Sequence, residues 1–417
     1  MIAATFYSGT DNPHCTVPPT KEFSMFALLR RSRKAGTRIA AAIAAVALAA
    51  CQPVSLGQSN GTGPSINTNQ AVPVALLIPR SGGSGDAVVA ASLENAARLA
   101  MSDLSGVQID LRVYDTAGNE AQASAVASQA VADGAKVILG PLYGANANAA
   151  GLAARQAGVN VLAFTNNTSL AGGNVFVLGH TFENTARRLA SFAAGQGKRR
   201  IVTVSAENAA GTLGRQAITQ AAAAAGASVV GNVTYTYSQQ GVITAASQVK
   251  NAVQSGSADA VFLASNTDAA LPFFAQLLPE QGVDPSVTQY IGLTRWDVPA
   301  QTLDLPGLQG GWFALPDPNL NAQFESRYAA AYGSGPHPLA GLAYDGIAAI
   351  GALVKQGRSD ALTASALTQS SGFQGVNGVF RLRPDGTNER GLAVATVRDK
   401  RVVVIDAAPR GFGGFGF

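Results

Sequence analysis

Few residues in this chain of 417 could perform acid–base, nucleophilic or metal chemistry. Of its 2 Cys and 3 His, Cys15, Cys51 and His14 fall within the first 51 residues, which leaves His180 and His337 alone in the remainder. Zinc clusters and Cys nucleophiles are therefore excluded beyond residue 51. Neither His lies in a recognisable catalytic signature, so we interpret both as hydrogen-bonded structural residues, with a catalytic base as the less favoured alternative.

Catalytic and phosphate-binding motifs are missing from the sequence or stand in the wrong context. A G-x-S-x-G string occurs at 57–61, but a nucleophile elbow needs a strand before it and a helix after it, and this segment is rich in Gly, Ser and Asn. There is no phosphate-binding loop, no H-E-x-x-H and no G-x-G-x-x-G that opens a helix. We predict a protein that is not an enzyme and uses no cofactor and no metal. A hydrolase with carboxylates from distant loops is the remaining enzymatic hypothesis.

The residues best suited to chemistry are polar and aromatic side chains that follow short apolar runs, where α/β sheets bind ligands. The candidate ligand-binding residues are Arg80, Tyr143, Gly144, Asn146, Asn166, Thr168, Asn208, Asn266, Arg295 and Trp296. Tyr143 and Trp296 suit stacking on a ligand, and Arg295 suits an anion, although a surface salt bridge would explain it equally well. Asn and Thr at such positions also cap helices, so capping is the alternative role for them.

The elements that must position these loops alternate along the chain. Short runs rich in Val and Ile are separated by Ala-rich segments of about 12–18 residues that are typical of helices. Such repetition predicts parallel sheets with helices on both faces. The alternation of strands and helices forms two series, and the second series begins near His180. We therefore predict an α/β fold with two Rossmann-like lobes, whose parallel sheets are joined by a hinge that the chain crosses several times.

The C-terminal third departs from this rhythm, because helical patterns are followed by antiparallel strands around 375–386 and 393–405. The expected divisions are lobe 1 at 71–181 with about 311–356, lobe 2 at 182–310 with about 357–405, and a disordered tail at 406–417. We expect the hinge near 180–183 and 297–310.

The N-terminal segment has the pattern of an export signal. A basic stretch, Arg30 to Arg38, precedes a twelve-residue apolar run that ends at Cys51, too short to span a bilayer. Small residues before this Cys resemble the lipobox of bacterial lipoproteins, which implies cleavage and acylation at Cys51, with Met25 as the start. An uncleaved anchor with an incidental Cys is the alternative. We interpret 1–51 as the signal peptide and 52–70 as a flexible tether.

Charge argues against nucleic acid as a partner. Residues 1–51 contain six of the 29 basic and two of the 25 acidic residues, which leaves 23 of each in the body. Because residues 52–417 have no net charge, electrostatics gives no reason to expect that they bind a polyanion such as nucleic acid.

Three motifs then indicate a family. Gly140-Pro141, the segment 341–346 and the segment 375–386 resemble, in their order and spacing, type I periplasmic binding proteins of the leucine/isoleucine/valine-binding branch. The resemblance implies a monomeric two-lobed protein of the periplasm that binds a small polar or amino-acid-like solute in the cleft for ABC-type uptake. Amino-acid binders of this branch hold the ligand carboxylate with a Ser where this chain has Gly144, and with a Thr that aligns with Thr168 or Thr165. We therefore do not expect a plain leucine site.

A subgroup resemblance supplies the alternative function. The segments 140–146, 161–167 and 176–186 are similar to the penicillin-binding-protein activator lipoproteins, which are anchored in the outer membrane and stimulate a peptidoglycan synthase. This implies a regulator with a cell-wall synthase as its partner and a peptidoglycan-derived ligand. Gln52, which follows Cys51, is not the Asp that retains enteric lipoproteins in the inner membrane, and this favours the outer membrane.

Overall fold

The computed structural model describes residues 63–265 and 270–413. The signal peptide 1–51 with its lipidation site Cys51, the first part of the tether, the candidate ligand residue Asn266 and the end of the tail lie outside the described residues.

Strands and helices alternate as the sequence predicts. The strands are β1 (Val72–Ile78), β2 (Ile109–Asp115), β3 (Val137–Leu139), β4 (Asn160–Ala163), β5 (Val175–Val177), β6 (Arg200–Ala206), β7 (Ser228–Tyr235), β8 (Ala260–Ala264), β9 (Gln289–Gly292), β10 (Trp312–Leu315), β11 (Phe373–Gly375), β12 (Gly378–Leu382), β13 (Asn388–Arg390), β14 (Ala393–Arg398) and β15 (Arg401–Asp406). The helices are α1 (Asp86–Asp103), α2 (Glu120–Ala132), α3 (Gly144–Ala154), α4 (Phe182–Gly195), α5 (Ala209–Ala224), α6 (Gln239–Gly256), α7 (Leu271–Glu280), α8 (Pro318–Tyr332), α9 (Ala340–Val354) and α10 (Ala364–Leu367).

The first lobe is built on a parallel sheet with the strand order β2-β1-β3-β4-β5. Its central strand β1 is buried on both faces, because alternate side chains enter different cores. Val74 and Leu76 pack in one core with α1 and α9, and Ala75 and Leu77 pack in the other with α2 and α3. This explains why β1 reads as an unbroken apolar run.

The second lobe is built on a larger sheet with the order β15-β14-β10-β9-β8-β6-β7. Its strands from β6 to β10 pair in parallel, and β14 and β15 complete the sheet by antiparallel pairing. Val202 and Val204 face the core under α6 and α7, whereas Ile201 faces α4 and α5. The predicted α/β fold with two lobes and mainly parallel sheets is therefore confirmed.

The C-terminal third is divided between the lobes differently from the expected boundaries. β10, expected in lobe 1, pairs with β9 and lies in the sheet of lobe 2. The segment containing β11, β12 and β13, expected in lobe 2, forms a small antiparallel sheet whose Phe380 lies in the core of lobe 1. The buried pair between Asp345 on α9 and Arg390 on β13, 2.8 Å from Nη1 to Oδ2, fixes this sheet to the first lobe.

The chain thus crosses between the lobes three times, after β5, after β10 and after β13. The first crossing matches the hinge expected near 180–183. The second lies at the end of β10 and not at 297–310, because that segment forms two short 3₁₀ turns whose Leu303 and Leu308 are buried in the core of lobe 2.

Both terminal segments contribute to the packed body. Ile66, in the expected tether, is 6% exposed in the core of lobe 1, and its N–H donates to the carbonyl of Ser359. Ala408, in the tail expected to be disordered, is buried in the core of lobe 2. Apolar side chains interrupt both polar segments, and each finds a buried site. Within the described ranges, no helix combines the length and the apolar character needed to cross a membrane.

Candidate functional site

The loops that follow the first-lobe strands are held by carboxylates. Asp115 accepts hydrogen bonds from the backbone N–H groups of Ser81, at 3.2 Å, and Ala117, at 2.9 Å. Although burial opposes the effect, the Ser81 hydroxyl and these N–H groups lower the pKa of Asp115. Arg80, a candidate ligand residue, forms an ion pair with Glu94 on α1. The Gly-rich loop after β1 is therefore fixed by neighbouring groups.

Tyr143 joins this loop to the loop after β3. Its hydroxyl donates to Asp86, whose other carboxylate oxygen accepts from the N–H of Gly83 at 2.9 Å. The hydrogen bond to Asp86, together with burial, raises the pKa of Tyr143. Tyr143 is 39% exposed, so part of its surface is open to solvent at the carboxyl edge of the first sheet.

Helix α3 begins at Gly144, directly after Tyr143. The side chain of its N-cap residue, Tyr143, makes no capping hydrogen bond to the first turn. A β-carbon on Gly144 would lie 3.0 Å from Leu170 Cδ1 and 3.5 Å from Thr165 Oγ1, which shows how closely the next loop approaches. Asn146 is only 1% exposed and its buried Nδ2 has no hydrogen-bond partner, and the expected contact of Asn146 with a ligand stays a prediction.

Thr168 brings the two lobes into contact. Its hydroxyl donates to Oε1 of Glu183 at 2.8 Å, and Glu183 lies in the first turn of α4 in the second lobe. Asn166, two residues earlier, is exposed. The loop after β4 therefore presents Asn166 to solvent and Thr168 to the hinge.

A small pocket with a cavity volume of about 30 Å³, open to solvent on one side, lies at the carboxyl edge of the second sheet. It is lined by the ends of β6, β7, β8 and β9 and by the first turns of α4 and α5, through Phe182, Ala206, Asn208, Ala210, Gly211, Tyr235, Tyr237, Ala264, Leu293 and Thr294. Asn208 caps α5, because its side chain accepts from the N–H of Gly211 at 2.8 Å. Of the predicted second-lobe ligand residues that the structure describes, Asn208, Arg295 and Trp296, Asn208 alone lines this pocket.

Arg295 and His180 lie near each other at the hinge. Arg295 forms a bidentate pair with Asp297, at 2.9 Å from Nε and 2.5 Å from Nη2. This pairing is the alternative that the sequence left open for Arg295. Burial, followed by the nearby guanidiniums of Arg390 and Arg295, lowers the pKa of His180 well below its ordinary value. The imidazole at the first crossing is therefore neutral at pH 7.

Trp296 does not face the cleft, and the prediction that it stacks on a ligand is wrong. Its side chain is fully buried and stacks on Phe313, with 5.8 Å between ring centroids. Gly292 and Gly311 make room for the indole, since a β-carbon on Gly292 would lie 2.2 Å from Nε1. Trp296 is a core residue of lobe 2.

The pocket aromatics were missed by sequence reasoning. Phe182 begins α4, Tyr235 ends β7, and Tyr237 follows it with 60% of its surface exposed. Their position at the carboxyl ends of strands or at helix starts was the available signal. In the part of the chain that the structure describes, no group of His, Cys, Asp and Glu is arranged to hold a metal ion.

Comparisons with known proteins agree with this geometry. The sequence profile of the family described as "Periplasmic binding protein" matches residues 71–401. A protein from Rhodospirillum rubrum assigned as a branched-chain amino acid ABC transporter has a similar structure, with a TM-score of 0.69 and 21% identity over 81% of this chain and 100% of that chain. No curated protein sequence matches the chain.

Two further structures are similar and differ in their ligands. A solute-binding protein of an ABC transporter from Rhodopseudomonas palustris, in complex with 3,4-dihydroxybenzoic acid, has a TM-score of 0.57 and 21% identity over 82% of this chain and 98% of that chain. A leucine-binding protein from Thermotoga maritima has a TM-score of 0.56 and 17% identity over 81% of this chain and 98% of that chain. At these identities the likeness concerns the fold.

Proposed function

The chain belongs to the periplasmic binding protein family, and on that premise we propose that it binds a small solute between its lobes and presents it to an ABC-type permease. The observation that carries this proposal is the match of residues 71–401 to the family, and we place the second-lobe side of the site at the small pocket on the carboxyl edge of the second sheet. The lobes are joined by three crossings, which suits closure around a ligand by hinge motion. A periplasmic location follows from the family, and binding without catalysis is the role proposed for the cleft.

The lining of the pocket supports a ligand with an apolar or aromatic part. Phe182, Tyr235 and Tyr237 provide aromatic walls, whereas Asn208 and Thr294 provide polar groups at the edge. Apolar walls with a few placed polar groups are typical of small-molecule sites. The similar structures include a leucine-binding protein and a complex with 3,4-dihydroxybenzoic acid, and both ligands are small acids with an apolar part.

The first lobe supports an anionic group on the ligand. The first turn of α3 has no side-chain cap, and backbone N–H groups at a helix start favour a carboxylate. The proposed first-lobe contacts are Arg80, Tyr143, Gly144, Asn146, Asn166 and Thr168, and Asn208, Asn266 and Arg295 are proposed on the second lobe. We propose a small carboxylic acid with a branched or aromatic side group as the substrate class.

The remaining sequence predictions stay proposals. Acylation at Cys51 would anchor a monomeric protein to a membrane, the outer membrane being favoured, with no nucleic acid, cofactor or metal involved. The alternative role, regulation of a peptidoglycan synthase, gains no support from the family match or from the similar structures.

A thermal-unfolding screen of the full chain tests the function. The ligands are leucine, valine, benzoate and 3,4-dihydroxybenzoate, with peptidoglycan fragments as the probe for the alternative. A ligand at a hundredfold excess over its dissociation constant should stabilise the folded protein by about 2.7 kcal/mol, which raises the melting temperature. We expect a shift with one of the small acids, and no shift with any of them would overturn the proposed substrate class.

Two variants locate the site. Tyr237→Ala removes an exposed pocket wall and should abolish most of the shift without unfolding the protein. Phe273→Ala is the matched control, because Phe273 is 53% exposed on α7 and does not line this pocket. A shift that survives Tyr237→Ala unchanged would place the ligand elsewhere.

A further inference from the structure

The segment that follows β15 is attached at its start to the second lobe. Arg188 on α4, which is 8% exposed, pairs with Asp406 at 2.8 Å and donates to the carbonyl of Ala407 at 3.4 Å. Ala408 is 9% exposed and packs in the core of the second lobe. These contacts fix the position from which the segment leaves the sheet.

The other end of the segment lies on the first lobe. The guanidinium of Arg381 stands over the ring of Phe412, with Cζ 4.5 Å from the ring centroid. The ring also lies close to Gly372, where an added β-carbon would be 2.6 Å from Phe412 Cε2. Arg381 is on β12, next to Phe380 in the first-lobe core. Phe412 is therefore seated on the small sheet that packs against α9.

Between these two ends, Pro409 lies against the third crossing. An added β-carbon on Gly391, which links β13 to β14, would be 3.0 Å from the carbonyl oxygen of Pro409. Only four peptide units separate Ala408 from Phe412, so the two anchor points can be at most about 14 Å apart along the chain. The segment is thus a short connection beside the hinge.

We propose that residues 407–413, which we name the strap, form a fourth connection between the lobes and restrain their relative rotation. The first three connections are covalent crossings, whereas the strap ends in a side-chain contact that can be released. A rotation that separates Ala408 from Arg381 must break the contact of Phe412 with Arg381 and Gly372. The strap therefore favours the lobe arrangement in which Phe412 is seated, and its release shifts the population toward other arrangements.

Distance measurements between the lobes test this inference without a ligand. Spin labels are placed on the full chain at Ala125→Cys in α2 and Gln220→Cys in α5, both exposed, with Cys15 and Cys51 replaced by Ser. Phe412→Ala should change the ratio of short to long inter-label distances by about 2–5-fold, the factor expected from the loss of a partly exposed cation–π contact.

A control variant and a second variant that lacks the Phe412 ring make the result interpretable. Phe273→Ala deletes a ring that is 53% exposed on α7 of the second lobe and should leave the distances unchanged. A chain stopped after Gly411 removes the ring by another route and should reproduce the effect of Phe412→Ala. Distances in both strap variants that match those of the unaltered chain would overturn the inference. Because no solute is added, this result does not depend on the proposed ligand.

Discussion

His180 should make the stability of this protein depend on pH. Burial and the guanidiniums of Arg390 and Arg295 lower its pKa in the folded state below the value of about 6.5 that it has in an unfolded chain. Below about pH 6.5 the unfolded chain therefore binds a proton that the folded protein does not. The free energy of unfolding should be fully maintained above this pH and should fall by up to about 1.4 kcal/mol per unit below it.

Chemical denaturation at a series of pH values measures this effect. His180→Gln keeps a neutral polar side chain at the hinge and should remove most of the decline. Burial lowers the pKa of His337 as well, so His337 should cause a smaller decline of the free energy of unfolding that remains in His180→Gln. Equal pH dependence in the unaltered protein and in His180→Gln would show that the pKa of His180 is the same in the folded and unfolded states, and would contradict the lowered pKa.

Residue roles were less predictable than residue positions. Polar residues at strand ends were correctly placed in loops, yet whether each caps a helix, pairs with a neighbour or faces a ligand depends on contacts distant in sequence. Arg295 precedes Trp296, but Arg295 pairs with Asp297 whereas Trp296 enters the core through the space left by Gly292 and Gly311. No local pattern in the sequence indicates the space that the Trp296 indole occupies, because Gly311 comes next to the indole only when β10 pairs with β9.

At the scale of elements, the start of α5 sets the shape of the pocket. Gly211, in its first turn, lies so close to the end of β6 that an added β-carbon would be 2.1 Å from the carbonyl oxygen of Ala206. Backbone atoms cannot yield as a flexible side chain does. Gly211→Ala should therefore displace the helix and lower the free energy of unfolding by about 1–3 kcal/mol.

Thermal unfolding of Gly211→Ala measures this cost, with Gly195→Ala as the matched change. Gly195 also lies in a helix, but no atom stands within 4 Å of its added β-carbon. There the substitution should be neutral or stabilising by up to about 1 kcal/mol, because Ala has the higher helix propensity. Equal melting temperatures for the two variants would contradict the close approach of α5 to β6.

The element pattern was the most predictable level of the structure. The central strands were anticipated because parallel strands buried on both faces are continuous apolar runs, whereas the edge strands β2 and β7 are only partly buried. The assignment of β10 and of the small sheet to lobes was not, since contacts between segments that are distant in sequence decide it, as for Trp312 of β10 with Thr396 of β14 and for Arg390 of β13 with Asp345 of α9. Local patterns contain no information about such pairing.

At the scale of the whole molecule, the first and third crossings are joined by one buried side chain. Asn388 donates through Nδ2 to the carbonyls of Val177, at 2.8 Å, and Gly179, at 2.9 Å, and its Oδ1 accepts from Asn184 at 2.6 Å. These groups come from the end of β5, the start of α4 and β13. The lobes should therefore unfold together as one cooperative unit.

Asn388→Leu tests whether this junction couples the lobes, because it leaves polar groups buried without partners at about 1–3 kcal/mol each. Both Trp residues, Trp296 and Trp312, lie in the second lobe, so their fluorescence reports that lobe whereas far-UV circular dichroism reports both. In the unaltered protein the two denaturation curves should coincide. In Asn388→Leu both midpoints should fall and the two curves should separate.

Asn251→Leu, a change at an exposed position on α6, is the control, and its two curves should coincide. Coincident curves in Asn388→Leu would mean that the remaining contacts at the crossings, and not the Asn388 side chain, make the two lobes one folding unit.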